Sequence, residues 1–331
     1  MREPSAEGLE SEALMARAAW LYYVAGLNQE AAAKRLGITR ARINKLLSDA
    51  RDSGLVSIQI NPANVGLLPV EEALRDRYGL DLCICTPELG ATGADGDGTA
   101  EALMLGYALR AVGMAAAVHL KRLLQENRAA VVGTGWGRTL EQMTLNLAGI
   151  AAPEARFISL MGSLTANSAY NPFEVVHAFA RTTGGEGHVL PVPFIADSPE
   201  DRRVLLSQRS VQQALGLARE ASVAYISIGE LTETSLLRRQ GMISPEELAS
   251  LRAAGAVGDT NGLFFDASGA PVDHDLNRRT IALGFDDLRR CGAIALVAGV
   301  AKRDAADAFL RSGVARGLII DGDTALRLLG S

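Results

Sequence analysis

Apolar positions near the N-terminus repeat at helical spacing in two short segments that are separated by a turn. Residues Gln29–Leu36 are rich in strong helix formers, and Gly37 follows where a left-handed corner favours a residue without a side chain. Thr39 is a suitable N-cap for a second helix. In that helix one apolar stripe recurs at i, i+3, i+4 and i+7: Ile43, Leu46, Leu47 and Ala50. The pattern predicts a helix-turn-helix pair.

The opposite face of the second helix carries side chains that can read DNA. At about 100° per residue, the side chains that point away from the stripe are Ala41, Asn44, Lys45 and Ser48. Such groups can contact base edges in a major groove. Arg40 stands at the helix start, where base or phosphate contacts are made.

A local basic cluster supports this interpretation. From Lys34 to Arg51 there are six Lys or Arg residues and one acid, Asp49, in a chain of net charge −5. Phosphate binding needs such a cluster, although an ordinary solvated helical hairpin remains the alternative. The predicted DNA-contacting residues are Thr39, Arg40, Ala41, Arg42, Asn44, Lys45, Ser48 and Arg51.

The flanking segments complete a predicted N-terminal domain at residues 1–60. Upstream, the amphipathic residues Glu10–Ala25 should form a supporting helix whose inward side chains are Leu14, Ala18, Leu21 and Ala25. Downstream, Leu55–Ile60 alternates like a short strand, which would make this a winged helix-turn-helix domain. The turn-rich joint Asn61–Gly66 then marks the boundary with a second domain, residues 61–331.

Beyond residue 61, short apolar runs alternate with helical segments. The predicted strands are Leu80–Thr86, Ala129–Gly133, Arg156–Met161, His188–Pro191, Val223–Ile228, Arg279–Leu283, Ala293–Ala298 and Gly317–Ile320. The predicted helices are Pro69–Tyr78, Glu101–Glu126, Arg138–Leu147, Pro172–Arg181, Asp201–Leu217, Pro245–Ala253, Arg303–Arg311 and Thr324–Leu329. Gly106 and Gly113 weaken the longest of these helices. The alternation predicts an α/β layered domain with a mostly parallel sheet, which binds ligands at the carboxyl ends of its strands.

Composition narrows the class of protein. The chain has 331 residues, of which 48% are hydrophobic and 21% charged, as in ordinary soluble globular proteins of at least two domains. No apolar run of ~20 residues stands out, so no membrane segment is expected. Three cysteines indicate a reducing cytoplasm, and Cys83 and Cys85 fit a buried strand better than a metal site. The four histidines lack ligand spacing, so no metal is predicted.

A glycine-rich loop is a candidate anion site. Residues Gly133–Gly137 leave a buried strand and lead into a helix that begins near Arg138. Closely spaced glycines allow backbone N–H groups to face an anion, and the helix N-terminus adds about half a positive charge. Arg138 and the hydroxyls of Thr134 and Thr139 could complete a phosphate cradle. A βα turn without a ligand is the alternative, and neither a dinucleotide nor an ATP motif is present.

Later loops offer further polar groups. Residues 161–176 leave a strand and contain Gly162, Ser163, Thr165 and Asn171. These residues suit sugar hydroxyls or a phosphate, but a polar connector that Asn171 caps fits equally well. Asp259, in a loop, and Lys302, at a strand end, could hold a polyol or, in an enzyme, transfer a proton. A turn-forming role is equally compatible with Asp259, and Asp266 is interpreted as a structural β-turn residue.

These segments together resemble the SorC/DeoR-type sugar-binding transcriptional regulators over nearly the whole chain. The resemblance is carried by residues 17–58 and by the segments GTGWGRTL, GDTNGLFFD and AGVAKRDAADAFLRSGVARGLIIDGDTALRLL. The N-terminal segment is most similar to regulators of erythritol-type polyol catabolism. The family implies a winged helix-turn-helix and an effector domain related in fold to sugar-phosphate isomerases and glucosamine-phosphate deaminases. It also implies a phosphorylated sugar or polyol effector and a homotetramer of paired dimers.

By position, the resemblance places Gly135–Thr139 and Ser163 near a phosphate, with Asp259 and Lys302 on the sugar portion. The predicted effector-binding residues are Thr134, Gly135, Trp136, Gly137, Arg138, Thr139, Gly162, Ser163, Asn171, Asp259, Asn261 and Lys302. Most regulators of this type bind without turnover, so no cofactor and no catalytic residue are expected.

The sequence therefore predicts a cytoplasmic regulator whose partners are double-stranded operator DNA, a sugar-phosphate effector and copies of itself, and no membrane. The rival hypothesis is a sugar-phosphate isomerase or deaminase with a DNA-binding appendage, in which Asp259 and Lys302 transfer protons. Its weakness is that no His or Glu stands out in the loops as a second acid–base group. A nucleotide-dependent switch is a third hypothesis, and it lacks a phosphate-loop lysine.

Overall fold

The computed structural model describes residues 6–56, 67–90, 98–163 and 171–330. The chain divides into two compact units, Met1–Gln59 and Ile60–Ser331. Each unit has a hydrophobic core of its own. The joint that the sequence predicts at Asn61–Gly66 lies outside the described residues.

The described part of the small unit is helical. Helix α1 (Ala6–Ala19) continues into a π-helical turn (Trp20–Val24), and α2 (Gln29–Leu36) and α3 (Arg40–Asp52) follow. The predicted corner is confirmed, since Gly37 has φ +68° and Thr39 Oγ1 accepts the Arg42 N–H at 3.2 Å. The buried core residues are Ala18, Ala32, Ala33, Ile43, Leu46 and Leu47.

In the small unit, the structure differs from the sequence prediction at Ala25 and describes only part of the predicted wing. Ala25 is exposed rather than inward. Its N–H bonds to the carbonyl of Trp20, five residues earlier, at 2.9 Å, and this extra residue in the turn shifts Ala25 out of the 3.6-residue repeat. Of the predicted wing strand, Leu55 and Val56 form a bend, and residues 57–60 lie outside the described ranges. The wing stays a prediction.

A parallel sheet of seven strands lies at the centre of the large unit. In spatial order the strands, numbered along the chain, are β1 (Leu82–Cys85), β10 (Ala315–Ile320), β9 (Ala293–Val297), β5 (Val223–Ser227), β2 (Val131–Thr134), β3 (Arg156–Ser163) and β4 (Glu186–Pro193). The helices are α4 (Leu68–Tyr78), α5 (Gly98–Glu126), α6 (Arg138–Leu145), α7 (Pro172–Thr183), α8 (Pro199–Ser207), α9 (Arg209–Arg219), α10 (Leu236–Arg239), α11 (Pro245–Ala253), α12 (Asp275–Arg279), α13 (Phe285–Arg290), α14 (Arg303–Arg311) and α15 (Gly322–Leu329).

Both faces of this sheet are covered. Along β5, Ala224 and Ile226 belong to one hydrophobic cluster, while Tyr225 belongs to another. Successive strand residues point to opposite faces, so the two clusters are the cores on either side of the sheet. Cys83 and Cys85 are buried in β1, which confirms their interpretation as strand residues.

The strand order reverses between β2 and β5, which are neighbours in the sheet. From β2 the chain proceeds to β3 and β4 on one side, whereas from β5 it proceeds to β9 and β10 on the other. In α/β sheets such a reversal leaves a crevice outside the carboxyl ends of the two strands, and ligands bind there. The predicted α/β domain with a parallel sheet is confirmed, and the glycine-rich loop begins at this crevice.

A small antiparallel sheet, which the sequence pattern does not predict, lies beside the large one. It consists of β6 (Gly229–Glu230), β7 (Ala256–Thr260) and β8 (Leu263–Asp266). Thr260 pairs with Leu263, and the connecting Asn261 and Gly262 have φ +49° and +72°. These are the residue types and dihedral angles of a tight hairpin turn. The loop interpretation of this segment is therefore wrong, and Asp259 lies on a strand.

Two other predicted elements are wrong. Residues Arg279–Leu283 form no strand, since Arg279 ends α12 and only Thr280 and Ala282 make isolated bridges. The segment bonds to the second half of β3 and to Phe194 just after β4, as when Leu283 N–H donates to the Leu160 carbonyl at 2.8 Å. The predicted helix Asp201–Leu217 is two helices, α8 and α9, with Gln208 extended between them at ψ 137°. The Ser207 hydroxyl bonds to the Val204 carbonyl at 2.7 Å, and this competes with the next helical hydrogen bond.

Helix α5 is unbroken in spite of its glycines. At Gly113 a β-carbon would lie 2.5 Å from Gln142 Cβ of α6, so glycine allows the two helices to approach closely. Within Glu101–Glu126, α5 contains a stretch whose mean hydropathy is 1.5. By length and composition this part of the helix could span a membrane, so the prediction that the chain has no apolar run of that length is wrong. Its buried face instead belongs to a core, where Val112 and Leu120 are fully buried.

Candidate functional site

Helix α3 presents a polar face to the surface. Six of its seven predicted DNA-contacting side chains are exposed and Ser48 is half-buried, whereas the apolar stripe is buried. The exposed six are Arg40, Ala41, Arg42, Asn44, Lys45 and Arg51. Thr39, the N-cap, is also exposed, and Arg51 donates to the Tyr23 hydroxyl at 3.3 Å. The orientation agrees with the sequence interpretation, while contact with DNA stays a prediction.

A pocket lies outside the carboxyl ends of β2 and β5, where the strand order reverses. The space between its lining residues is about 470 Å³, which includes the part open to solvent. Half of the predicted effector-binding residues line it: Trp136, Gly137, Arg138, Thr139, Asp259 and Lys302. These residues come from three distant parts of the chain, so the fold assembles a site that no single motif contains.

One wall of the pocket is the loop between β2 and α6. Gly137, at φ +110°, is the N-cap of α6, and no side chain caps this helix end. The uncapped N–H groups and the helix dipole favour an anion here, and the half-buried Arg138 lines the pocket beside them. This wall can hold a negatively charged group.

Asp259 also lines the pocket and is 4% exposed. Its Oδ2 accepts the Gly262 N–H at 3.1 Å. A β-carbon at Gly229, the residue paired with it on β6, would lie 2.1 Å from Asp259 Oδ1, so only glycine leaves room for this carboxyl group. Burial raises the pKa of Asp259 to about 7, and the Glu230 carboxylate adds to the shift, whereas the Gly262 N–H and Lys302 oppose it.

Lys302 is buried at the end of the short 3-10 turn that follows β9, Val300–Lys302. The turn is held by Asp321, whose Oδ2 accepts the Gly299 N–H at 2.7 Å while its Oδ1 caps α15. Burial lowers the pKa of Lys302; the Glu230 carboxylate opposes this effect most strongly, and Arg138 adds to it. Carboxyl groups and cationic groups thus line the same pocket, and together they can bind hydroxyl groups that both donate and accept.

The strand end before the glycine loop faces the core rather than the pocket. The Thr134 hydroxyl donates to the Ile158 carbonyl at 3.4 Å, and the Gly135 N–H donates to the Tyr225 carbonyl at 2.8 Å. Asn261 packs behind the loop, since a β-carbon at Gly135 would lie 2.7 Å from Asn261 Oδ1. Both polar atoms of the Asn261 side chain are buried and lack a partner among the described residues. Effector contacts for these three residues stay predictions.

The second predicted loop begins as part of a strand. Gly162 and Ser163 belong to β3, and a β-carbon at Gly162 would lie 2.4 Å from the Pro193 carbonyl oxygen, so glycine serves strand packing there. Asn171 caps α7 by accepting the Phe173 N–H at 3.1 Å. Thr165 lies outside the described residues. The pocket wall contains none of the three described residues, as far as the described ranges extend.

The sequence interpretation missed the segment between β5 and α10. Ser227, Gly229, Glu230 and Ser235 all line the pocket. Their signal in the sequence was their position directly after a strand, in the segment SIGELTETS. Asp266 is confirmed as a turn residue, since its Oδ1 accepts the Ser268 N–H at 2.8 Å.

Comparison with known proteins decides the family. The Sugar-bind family model, which describes a sugar-binding domain, matches residues 63–330. The erythritol catabolism regulatory protein EryD of Brucella abortus is 36% identical over 319 residues, which cover 96% of this chain and 97% of that protein. The chain belongs to the SorC/DeoR-type sugar-binding transcriptional regulators.

Other relatives of this regulator span its whole length. The deoxyribonucleoside regulator of Bacillus subtilis is 27% identical, and the alignment covers 97% of the chain described here and 98% of the Bacillus protein. The full-length sorbitol operon regulator SorC of Klebsiella pneumoniae has the same fold, with a TM-score of 0.68, 23% identity, and coverage of 97% and 99% of the two chains. EryD and the deoxyribonucleoside regulator are named as regulators, and the SorC/DeoR-type protein described here is likewise not an enzyme.

Proposed function

We propose that this regulator controls carbohydrate or polyol catabolism through an operator affinity that a phosphorylated sugar or polyol changes. In this proposal α2 and α3 belong to a winged helix-turn-helix, and the large unit shares its fold with sugar-phosphate isomerases and deaminases. The protein works in the cytoplasm as a homotetramer of paired dimers. Two recognition helices of a dimer then sit about 34 Å apart in successive major grooves.

The exposed polar face of α3 supports the DNA half of the proposal. Asn44 and Lys45 are exposed on the side opposite the buried stripe, and their amide and ammonium groups can pair with adenine and guanine edges. Arg51 stands at the far end of the helix, where a guanidinium suits backbone phosphate.

The observation that carries the effector half is the pocket where the strand order reverses. Its lining includes Arg138 and the uncapped N-terminus of α6, together with Asp259 and Lys302. The first pair suits an anion and the second suits hydroxyl groups, and a sugar phosphate or polyol phosphate has both. The erythritol and sorbitol in the names of the relatives EryD and SorC support a polyol.

The isomerase or deaminase hypothesis is not favoured. Proton transfer by Asp259 and Lys302 would suit an enzyme, but the relatives that match over the whole chain are named regulators. The same two groups suffice to bind a polyol without turnover.

The test combines a DNA-binding assay with an effector panel. The full-length protein is titrated onto duplex DNA from its own promoter region at low ionic strength, with and without phosphorylated tetritols, pentoses and hexoses. We expect one of these compounds to change the DNA affinity. The Asp259→Ala variant should bind the DNA as the wild type does and ignore that compound.

A matched control removes a carboxylate elsewhere. Asp286→Ala changes an exposed acid of α13 that pairs with Arg289, and it should leave both DNA binding and the effector response intact. Failure of the wild type to bind its promoter DNA would contradict the whole proposal. If DNA binds but no phosphorylated compound alters its affinity, only the effector half is wrong.

A further inference from the structure

Ser235 has a hydroxyl group whose usual partner is missing. It occupies the N-cap position of α10, where a serine side chain normally accepts a helix N–H, but it makes no such bond. Its side chain lines the pocket, the residue is 2% exposed, and Oγ has no hydrogen-bond partner among the described residues. A buried hydroxyl without a partner is unfavourable in a folded protein, so a ligand is the natural partner.

Ser227 offers a second hydroxyl of the same kind. Its backbone is fixed at the end of β5, where its carbonyl accepts the Thr260 hydroxyl at 3.1 Å. Its Oγ is also buried and unpartnered within the described part of the chain. A β-carbon placed at Gly137 would lie 3.9 Å from this Oγ. The hydroxyl therefore lies close to the N-cap of α6.

We infer that Ser227 and Ser235 form the second half of an anion site and donate hydrogen bonds to the phosphate monoester of the ligand. The first half is the uncapped N-terminus of α6 with Arg138. The two halves come from different segments of the chain, the loop after β2 and the residues from Ser227 to Ser235, so they can bond to separate oxygens of one phosphate. The inference rests on the proposed function, and it names two ligand contacts that the glycine loop alone does not supply.

The carboxyl groups of the pocket give the ligand a direction. Glu230 and Asp259 also line the pocket, and a carboxylate disfavours a second anion next to it. In this inference the phosphate therefore lies against the serines, and the uncharged hydroxyl groups of the ligand lie against the acids and Lys302.

The test measures ligand binding by the full chain as wild type, Ser227→Ala, Ser235→Ala and the double variant. Inorganic phosphate is titrated against chloride at equal ionic strength, followed by each phosphorylated compound of the panel and its unphosphorylated parent. Each single variant should raise the Kd of phosphate and of the phosphorylated ligand roughly tenfold or more. The Kd of the unphosphorylated parent should stay unchanged.

The melting temperature separates binding from a structural role. Both variants remove an unpartnered hydroxyl, so without ligand each should melt at or above the wild-type temperature. Ser207→Ala is the matched control, because its hydroxyl bonds to the Val204 carbonyl outside the pocket; phosphate binding should not change. A lower melting temperature in both serine variants, without any change in phosphate affinity, would assign these hydroxyls to the fold and overturn the inference.

Two further outcomes distinguish this inference from the proposed function. If the wild type binds no phosphate, or the double variant binds it equally well, the inference is wrong even where an effector releases DNA. If the variants lose phosphate binding but no phosphorylated compound changes the DNA affinity of the wild type, the serine assignment stands and the proposed function fails.

Discussion

Asp259 shows how a few atoms set the chemistry of the pocket. The absence of a side chain at Gly229 makes room for its carboxyl group, and the Gly262 N–H fixes one oxygen. Burial and the nearby Glu230 together raise its pKa to about 7. Near neutral pH the group is therefore both a hydrogen-bond donor and an acceptor across the population, which suits a polyol.

This pKa has a measurable effect on folding. In the unfolded chain an Asp has a pKa of about 3.9, so between pH 4 and pH 7 the folded protein binds more protons than the unfolded chain. The contribution of Asp259 to stability is complete below pH 4 and is lost as the pH rises through about 7. Relative to Asp259→Asn, the wild type should lose roughly 4 kcal/mol of unfolding free energy across this range.

Urea unfolding of the two proteins at several pH values between 4.5 and 8 measures this difference. Asparagine keeps the size of the side chain and an oxygen for the Gly262 N–H, so the comparison isolates the charge. Parallel stability curves would show that Asp259 titrates normally.

At the residue scale, the sequence identifies groups whose type is rare and misses groups whose position matters. Asp259 and Lys302 stand out as a carboxylate and an ammonium near strand ends. Serines are common in turns, and nothing in the residues around Ser235 shows that its hydroxyl avoids its own helix. That geometry depends on the path of the segment over the sheet, which local sequence does not encode.

At the scale of elements, the sequence predicts the features that neighbouring residues determine better than those that long-range contacts determine. The boundaries of α2, α11 and α14 agree with the sequence prediction, since caps, proline at the helix start and apolar periodicity are properties of neighbouring residues. The hairpin of β7 and β8 was also marked locally, by Asn261-Gly262. The segment Arg279–Leu283 could not be placed, because its partners are residues of β3 and Phe194 after β4, far away in the chain.

The contact between α5 and α6 depends on one of two glycines in the same helix. Gly113→Ala would press a β-carbon against Gln142, at 2.5 Å from its Cβ, and should lower the unfolding free energy by ~1–3 kcal/mol. Gly106→Ala meets only the flexible Arg110 side chain, at 3.6 Å, and should raise it by roughly 0.5–1 kcal/mol. Urea denaturation of both variants checks the pair, and equal effects would contradict the close packing.

The exposed face of α3 predicts two kinds of DNA-binding defect. Asn44→Ala and Lys45→Ala should each reduce discrimination between operator and random DNA by ~1–3 kcal/mol, because they remove base contacts. Arg51→Ala should weaken binding to all sequences and reduce the salt slope by about 1. Anisotropy titrations on both duplexes at several salt concentrations measure this.

A charge-matched control completes that experiment. Arg122→Ala removes an exposed cation from α5, and it should change neither operator discrimination nor the salt slope. If Asn44→Ala, Lys45→Ala and Arg51→Ala all behaved alike, the assignment of the groove-facing side of α3 would be wrong.

At the scale of the whole molecule, the two units have to influence each other for the regulator to respond. An effector changes DNA affinity only by binding the two states of the protein with different affinities. The coupling is reciprocal, so operator DNA must change effector affinity by the same factor, typically about 5- to 150-fold. Calorimetric titration of the effector with and without operator duplex should give the factor that DNA titrations give, and two different factors would mean that the events are not linked.

The place where the strand order reverses has a consequence for how sensing arises during synthesis. One pocket is lined by Gly137, Ser227, Asp259 and Lys302. Because these residues are far apart in the sequence, the ribosome synthesises them at different times. A chain cut short before β9 would still contain the complete α1–α3 region but never the wall that Lys302 provides. Under the proposed function, the ability to respond to a metabolite is therefore completed late in synthesis, and truncated products would not respond to the effector.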